Sequence, residues 1–154
     1  MPALASATEI RIATIEDLPR VVGMFAQFVS SSQYARYVGN DSAHATKMMT
    51  RIIEGADCAL FVADSSDNGV IGMLGVMAFI QPFSGELVAS ELFWWLDPKH
   101  RGNGVWLLRR AENWAREYGA KRLSMMAPID KQRVAEIYSA IGYQEVERVF
   151  QRDL

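Results

Sequence analysis

Apolar residues change their spacing several times along this chain, and each change predicts an element. "EIRIA" (9–13) alternates like a short strand. Thr14 then fits a helix N-cap, with Glu16 and Asp17 in the first turn and Pro19 early enough to be tolerated. Leu18, Val21, Val22, Phe25, Phe28 and Val29 follow at helical spacing and predict an amphipathic helix. "SSSQYARYVGN" (30–40) breaks that period and reads as a loop. "DSAHATKMMTRIIEG" (41–55) restores it, with Asp41 or Ser42 as cap and Gly55 as stop. Three strand-like runs come next, at 58–64, 69–80 and 86–96. "DNG" (67–69) predicts a type I′ hairpin and "QPFSGE" (81–86) a second turn, so the three strands form an antiparallel meander. The middle strand is apolar on both faces, as for a strand covered on two sides.

From Gly104 the period is helical again, through Leu107, Leu108, Ala111, Trp114, Ala115 and Tyr118. "KRLSMMAP" (121–128) predicts a strand parallel to its predecessor, and "DKQRVAEIYSAIG" (130–142) a helix capped by Asp130 and stopped at Gly142. "YQEVERVFQRDL" alternates and predicts one bent strand or two. The resulting order, β-α-α-β-β-β-α-β-α-β, is α/β with a mixed central sheet flanked by helices. Residues 1–8 read as a flexible N-terminal tail and 9–154 as a single domain.

Composition narrows the classes of function. Of 154 residues half are hydrophobic, 22% are charged, and the formal net charge is −2, without the basic excess of a nucleic-acid-binding domain. Cys58 is the single cysteine, and His44 and His100 have no second ligand at metal spacing, so no metal site is expected. No apolar run reaches the ~18 residues of a membrane span, and "MPALASATEI" lacks the basic and apolar regions of a signal peptide. The expectation is a cytoplasmic protein with neither a membrane nor a nucleic-acid partner.

The chemistry concentrates in "DPKHRGNGVWLLRR" (97–110), a basic glycine turn that runs straight into a helix. The first N–H groups of a helix have no internal acceptor, and such a turn suits an anion. A dinucleotide-binding motif fits poorly: Leu107 stands where G-x-G-x-x-G needs its third glycine, and a hairpin meander precedes the turn.

The element order resembles that of the GNAT superfamily of acyl-CoA-dependent N-acyltransferases over nearly the whole chain. "IRIATIEDLPRV" (10–21) is similar to that family's opening strand and helix. "WWLDPKHRGNG" (94–104) is similar to its fourth strand and pyrophosphate loop, and "AEIYSAIGYQEV" (135–146) to its tyrosine helix. The loop departs from the family's [QR]-x-x-G-x-[GA] core in length. With Arg101 in first place, Trp106 replaces the last glycine; with Lys99 first, Gly102 and Gly104 are the two glycines and Val105 and Trp106 begin the helix. The second register leaves room for phosphate against the backbone.

The resemblance implies acetyl-CoA as acyl donor and direct attack by a primary amine, of a small molecule or a peptide terminus, in a ternary complex. It places Lys99, Arg101, Gly102, Asn103, Gly104 and Val105 at the CoA phosphates, with Arg109 and Arg110 as further candidate cations. A splayed, bulged fourth strand near Trp95 and Leu96 would receive the thioester. Tyr138 stands at the family's general-acid position, although it also completes an apolar stripe with Val134, Ile137 and Ile141. Glu91 is the candidate base, or else a solvent-facing strand residue. Lys131 replaces an asparagine frequent in that family. Tyr34, Arg36 and Tyr37 lie in the loop beside the acceptor's usual entrance, with Tyr34 and Tyr37 the candidate acceptor contacts. A CoA-binding regulatory module without turnover is the alternative, and an exposed C-terminal strand suggests a homodimer.

Overall fold

The computed structural model describes residues 7–39, 41–100, 102 and 104–154. Strand β1 (Thr8–Ile12) leads through a short 3₁₀ turn into helix α1 (Leu18–Ser30), and a second 3₁₀ turn (Gln33–Arg36) precedes α2 (Ser42–Glu54). Strands β2 (Cys58–Ser65), β3 (Gly69–Ile80) and β4 (Leu87–Leu96) follow, then α3 (Gly104–Tyr118), β5 (Leu123–Ser124) and α4 (Gln132–Ala140). The sheet runs β1-β2-β3-β4-β5, antiparallel throughout except for the parallel β4–β5 pair. The mixed α/β architecture expected from the sequence is the one observed.

Local chemistry accounts for the boundaries. Thr14 and Asp17 form a capping box at the entry to α1, and the Asp17 carboxylate also takes Arg11 at 2.8 Å. The Asp41 side chain accepts the His44 N–H at 3.0 Å and starts α2. Gly142, at φ 100°, follows α4 in the left-handed region that only glycine enters freely.

Each face of the sheet carries its own core. On one side α1 and α2 press Val21, Met24, Met49 and Ile52 against Leu60, Val62, Met73 and Phe93. On the other, α3 and α4 press Leu107, Leu108, Ala111, Ala115 and Tyr138 against Phe61, Leu74 and Ala89. β3 is sandwiched between the two, which explains its apolar residues on both faces.

Three expectations are corrected. The β2–β3 hairpin has a three-residue loop, Ser66–Asn68, and the positive φ falls on Gly69 (67°) rather than on Asn68. That is a longer hairpin turn than type I′. α4 begins after Lys131, and Asp130 makes no side-chain cap. The C-terminal segment forms no strand: residues 143–154 take no regular structure and join no sheet.

Candidate active site

The site grows from a defect in β4. The β3–β4 register pairs Val76 with Glu91 but Gly75 with Phe93, so Leu92 is an extra residue, a β-bulge. The bulge changes which face successive side chains occupy. Glu91 reaches the α4 side, whereas Leu92 and Phe93 both join the α1–α2 core. Beside it, β4 and β5 pair only through Ala89–Leu123 and Ser90–Ser124, and beyond Ser90 the outer edge of β4 has no strand neighbour among the described residues. The splay and the bulge expected near Trp95 and Leu96 therefore begin several residues earlier. Trp95 and Leu96 themselves still pair with Met73 and Gly72 of β3.

Glu91 is 5% exposed and sits at the head of this gap. Its Oε2 accepts the Met126 N–H at 2.8 Å and lies 3.4 Å from the Tyr138 hydroxyl. The same hydroxyl is 3.2 Å from the Met126 carbonyl oxygen, so its one proton serves one acceptor at a time. Burial pushes the Glu91 carboxyl up to about 7, outweighing the two hydrogen bonds that favour its charge. Burial, then the Glu91 charge, raises the Tyr138 phenol well above its ordinary range. The carboxyl is thus poised to take up or release a proton near neutral pH, while the phenol beside it stays protonated. Tyr138 is also packed as the apolar stripe suggested: it is buried, and its ring stacks on Trp94 at 5.9 Å.

At the far end of the gap, Gly102 has φ 120° and open space where a Cβ would stand, and α3 begins at Gly104. A Cβ on Gly104 would come within 3.1 Å of the Trp94 indole. The Nε1 atoms of Trp94 and Trp95 are both buried and have no hydrogen-bond partner among the described residues, and that of Trp94 lies at the start of α3. Lys99 lies in a 3₁₀ turn (Pro98–His100) before the helix. Arg101 and Asn103 lie outside the described residues. Arg110 stands over the Phe61 ring at 4.7 Å and Arg109 pairs with Glu112 at 3.6 Å, so both have protein partners. Val105 is partly exposed and Trp106 is 64% exposed on the first turn of α3. These features fit a phosphate-bearing thioester: a helix N-terminus, an open glycine turn, an orphan donor and an unpaired strand edge.

On the opposite face an open pocket of about 560 Å³ runs between α1, α2 and β4. Phe25, Phe28, Tyr34, Met77, Leu92 and Met126 are among its walls, and Arg51 is its one charged lining residue. Arg51 is itself paired with Asp57 at 2.9 Å. Tyr34 packs on Phe28 at 5.6 Å, and its phenol is raised by burial and by the charges of Glu91 and Asp130. Tyr37 is 52% exposed and Arg36 is exposed, and neither lines the pocket.

Sequence reasoning missed Met126, whose N–H holds Glu91, and Trp94, which roofs Tyr138. It also missed Leu92 as the bulge. The first two arise from contacts distant in sequence, and a bulge inside the continuous apolar run "ELFWWL" leaves no periodic mark.

Known proteins share this fold. The family model described as the acetyltransferase (GNAT) family matches residues 26–143. Among solved structures, an aminoglycoside N-acetyltransferase, AAC(6')-Iy in complex with CoA, superposes with a TM-score of 0.82 at 19% identity, over 99% of each chain. AAC(6')-Ih of Acinetobacter baumannii gives 0.75 at 19% identity, over 96% of this chain and 99% of that one. A transcriptional regulator from Bacillus halodurans C-125 gives 0.81 at 19% identity, over 96% and 100%. No match was found among curated protein sequences. The family match spans most of the chain, and its fold is the one built above: the protein belongs to the GNAT family, acyltransferases that use acetyl-CoA.

Proposed function

We propose that this protein transfers the acetyl group of acetyl-CoA to a primary amine carried on an apolar body. The observation that carries the proposal is the buried Glu91–Tyr138 pair on one face of β4, backed by an apolar pocket into which the bulge turns both Leu92 and Phe93. CoA enters the gap beside β4, with its phosphates at the Gly102–Gly104 turn and a donor from Trp94. Lys99 and Arg101 are the candidate cations there, and Gly102, Asn103, Gly104 and Val105 are the candidate backbone donors to the phosphates.

An alkyl ammonium has a pKa near 10.4, so roughly one amine in a thousand is neutral at pH 7. Glu91, ionised above about pH 7, takes the ammonium proton directly or through water. The amine nitrogen then attacks the thioester carbon, the C–N bond forms, the C–S bond breaks, and nitrogen sheds its second proton to solvent. The departing sulfur takes a proton from Tyr138. A phenol held above its normal range does not persist as phenolate, so Tyr138 recovers a proton from protonated Glu91 across the 3.4 Å contact. Net transfer is one proton from nitrogen to sulfur and one to solvent.

The pocket selects the acceptor. Aminoglycosides, the acceptors named for two of the structural neighbours, are polycations. Among the described residues this pocket has no carboxylate in its lining to offset several positive charges, and the one ionic residue there is cationic. Tyr34 serves as an acceptor contact, and Tyr37 flanks the entrance. Thiol release from acetyl-CoA with phenethylamine or tryptamine is expected to exceed release with kanamycin by at least about tenfold in kcat/KM. Faster turnover of kanamycin would reject the apolar acceptor. CoA binding without turnover of any amine would favour a regulatory module.

A further inference from the structure

The proton pair and the apolar pocket lie on opposite faces of β4, so an amine seated in the pocket has to reach Glu91 from the other side. The sheet itself blocks the direct way. Ser90–Ser124 is the last β4–β5 pair among the described residues, and the passage runs round the open edge of β4 just beyond it. Met126 stands there. Its N–H donates to the Glu91 carboxylate at 2.8 Å, and its carbonyl oxygen accepts the Tyr138 hydroxyl at 3.2 Å. Its side chain lines the pocket with Phe28, Tyr34 and Leu92, and the residue is 44% exposed. Among the described residues, Met126 alone belongs both to the hydrogen bonds of the pair and to the pocket wall.

The local sequence explains how one residue comes to do both. The β5 ladder stops at Ser124, and the Glu91 side chain takes the N–H that a strand carbonyl would otherwise have taken. Pro128 follows two residues later. It has no N–H to donate and biases Ala127 toward extended backbone, so the ladder is not resumed. A methionine side chain there is flexible and polarisable, and it packs against apolar and aromatic bodies of varied shape.

We propose that Met126 is the positioning and specificity-determining residue of this site: its backbone clasps the Glu91–Tyr138 pair, and its thioether closes the pocket against the amine-bearing end of the acceptor. The thioether's part rests on the acetyl-transfer reading above, and the backbone's part on the geometry of the chain alone. The titratable groups that face Glu91 are Tyr138 of α4 and Tyr34, whose phenol feels the charges of Glu91 and Asp130. Neither is a cation, and the Met126 N–H is the stronger of the two hydrogen bonds that favour the ionised carboxylate.

Nuclear magnetic resonance of isotope-labelled protein tests the clasp. The Met126 amide resonance should titrate with a midpoint of about 7, and should cease to do so in Glu91→Gln. Kinetics test what the clasp does. Met126→Pro and Met126→Ala both lack the thioether, and only the first lacks the N–H. Relative to Met126→Ala, Met126→Pro should move the rising limb of kcat/KM up by about one pH unit, about a fivefold loss at pH 7. Met126→Ala should raise KM for tryptamine at least about fivefold with the limb in place, and Met126→Leu should recover most of that loss. An amide that does not titrate overturns the proposal. So does an unchanged KM in Met126→Ala, or a KM and limb that move together there, the mark of a residue that only supports the fold. The amide titration needs no change at position 126 and no turnover, so it decides the backbone role whether or not Met126→Pro folds. A protein that acetylates no amine yet shows that titration would reject the proposed function and uphold the clasp.

Discussion

The two faces of the sheet are built from the same materials and end in different chemistry. The α1–α2 face is methionine-rich: Met24, Met49 and Met73 are fully buried there with Val21, Val62 and Leu60. Flexible thioethers fill irregular space without demanding a partner. The α3–α4 face packs around Phe61, Leu74 and Leu107, yet it admits a buried carboxyl and a buried phenol, whereas an indole N–H without a partner among the described residues occurs on both faces, Trp94 here and Trp95 on the other. One inserted residue links the two. Without the bulge at Leu92, strict alternation along β4 would turn Phe93 to the same face as Glu91. With it, Leu92 and Phe93 both address the α1–α2 face, and the Glu91–Tyr138 pair backs onto the apolar pocket that they line. The lesson is that polarity in this fold is placed by a backbone irregularity, and the apolar face is what makes it effective, because burial is what lifts Glu91 to about 7.

The largest effect should come from neutralising that carboxyl. Glu91→Gln preserves size and can still accept the Met126 N–H, but it cannot take a proton from an ammonium. A positioned general base is worth about 10²–10⁴ in rate, and kcat for the preferred amine should fall by that factor. In the parent protein kcat/KM should rise with pH to a plateau above about 7, and the variant's profile should lose this limb. Steady-state thiol release across pH 5.5–9 measures both. An unchanged profile would show that another group receives the proton.

The next effect concerns stability. The carboxyl goes from an ordinary 4.5 to about 7 on folding, so between those values the folded state binds more protons than the unfolded one. Stability contributed by this group is therefore full below about pH 4.5 and is lost as pH rises to about 7, by roughly 3 kcal/mol. Glu91→Gln removes the loss. Urea midpoints at pH 5 and pH 7.5 should show the variant gaining on the parent as pH rises. A constant difference between them would mean that Glu91 is not desolvated.

Most of the helical and strand framework was legible because each element is amphipathic and flanked by a usable stop. Asp41 and Gly55 bracket α2 in sequence as they do in space. The glycine turn was legible for a similar reason, since Gly102 occupies a φ that other residues avoid. Two kinds of feature were not. A β-bulge and a hydrogen bond such as Met126 to Glu91, 35 positions apart, depend on register and leave no local signal. The alternation after Tyr143 predicted a strand that does not form among the described residues, because pairing is a property of two segments. Periodicity describes only one of them.

The smallest effect should be at Trp106, and it tests the far end of the gap. Composition alone makes an indole a core candidate, and its loss would then cost about 3–5 kcal/mol. Here the side chain is 64% exposed on the first turn of α3, while Trp94 fills the space against Gly104. Trp106→Ala removes little packing and substitutes a better helix former, so the two contributions nearly cancel. Stability should move by less than about 0.5 kcal/mol. Acetyl-CoA affinity should stay within about twofold, since an exposed indole donates nothing to a phosphate held by backbone N–H groups. Thermal melts and calorimetric titration of both proteins decide the matter. Gly104→Val is the matched control: a branched side chain there is driven into the Trp94 indole, and affinity should fall sharply. A Trp106→Ala protein that binds acetyl-CoA tenfold more tightly would place Trp106, not Trp94, across the phosphate approach.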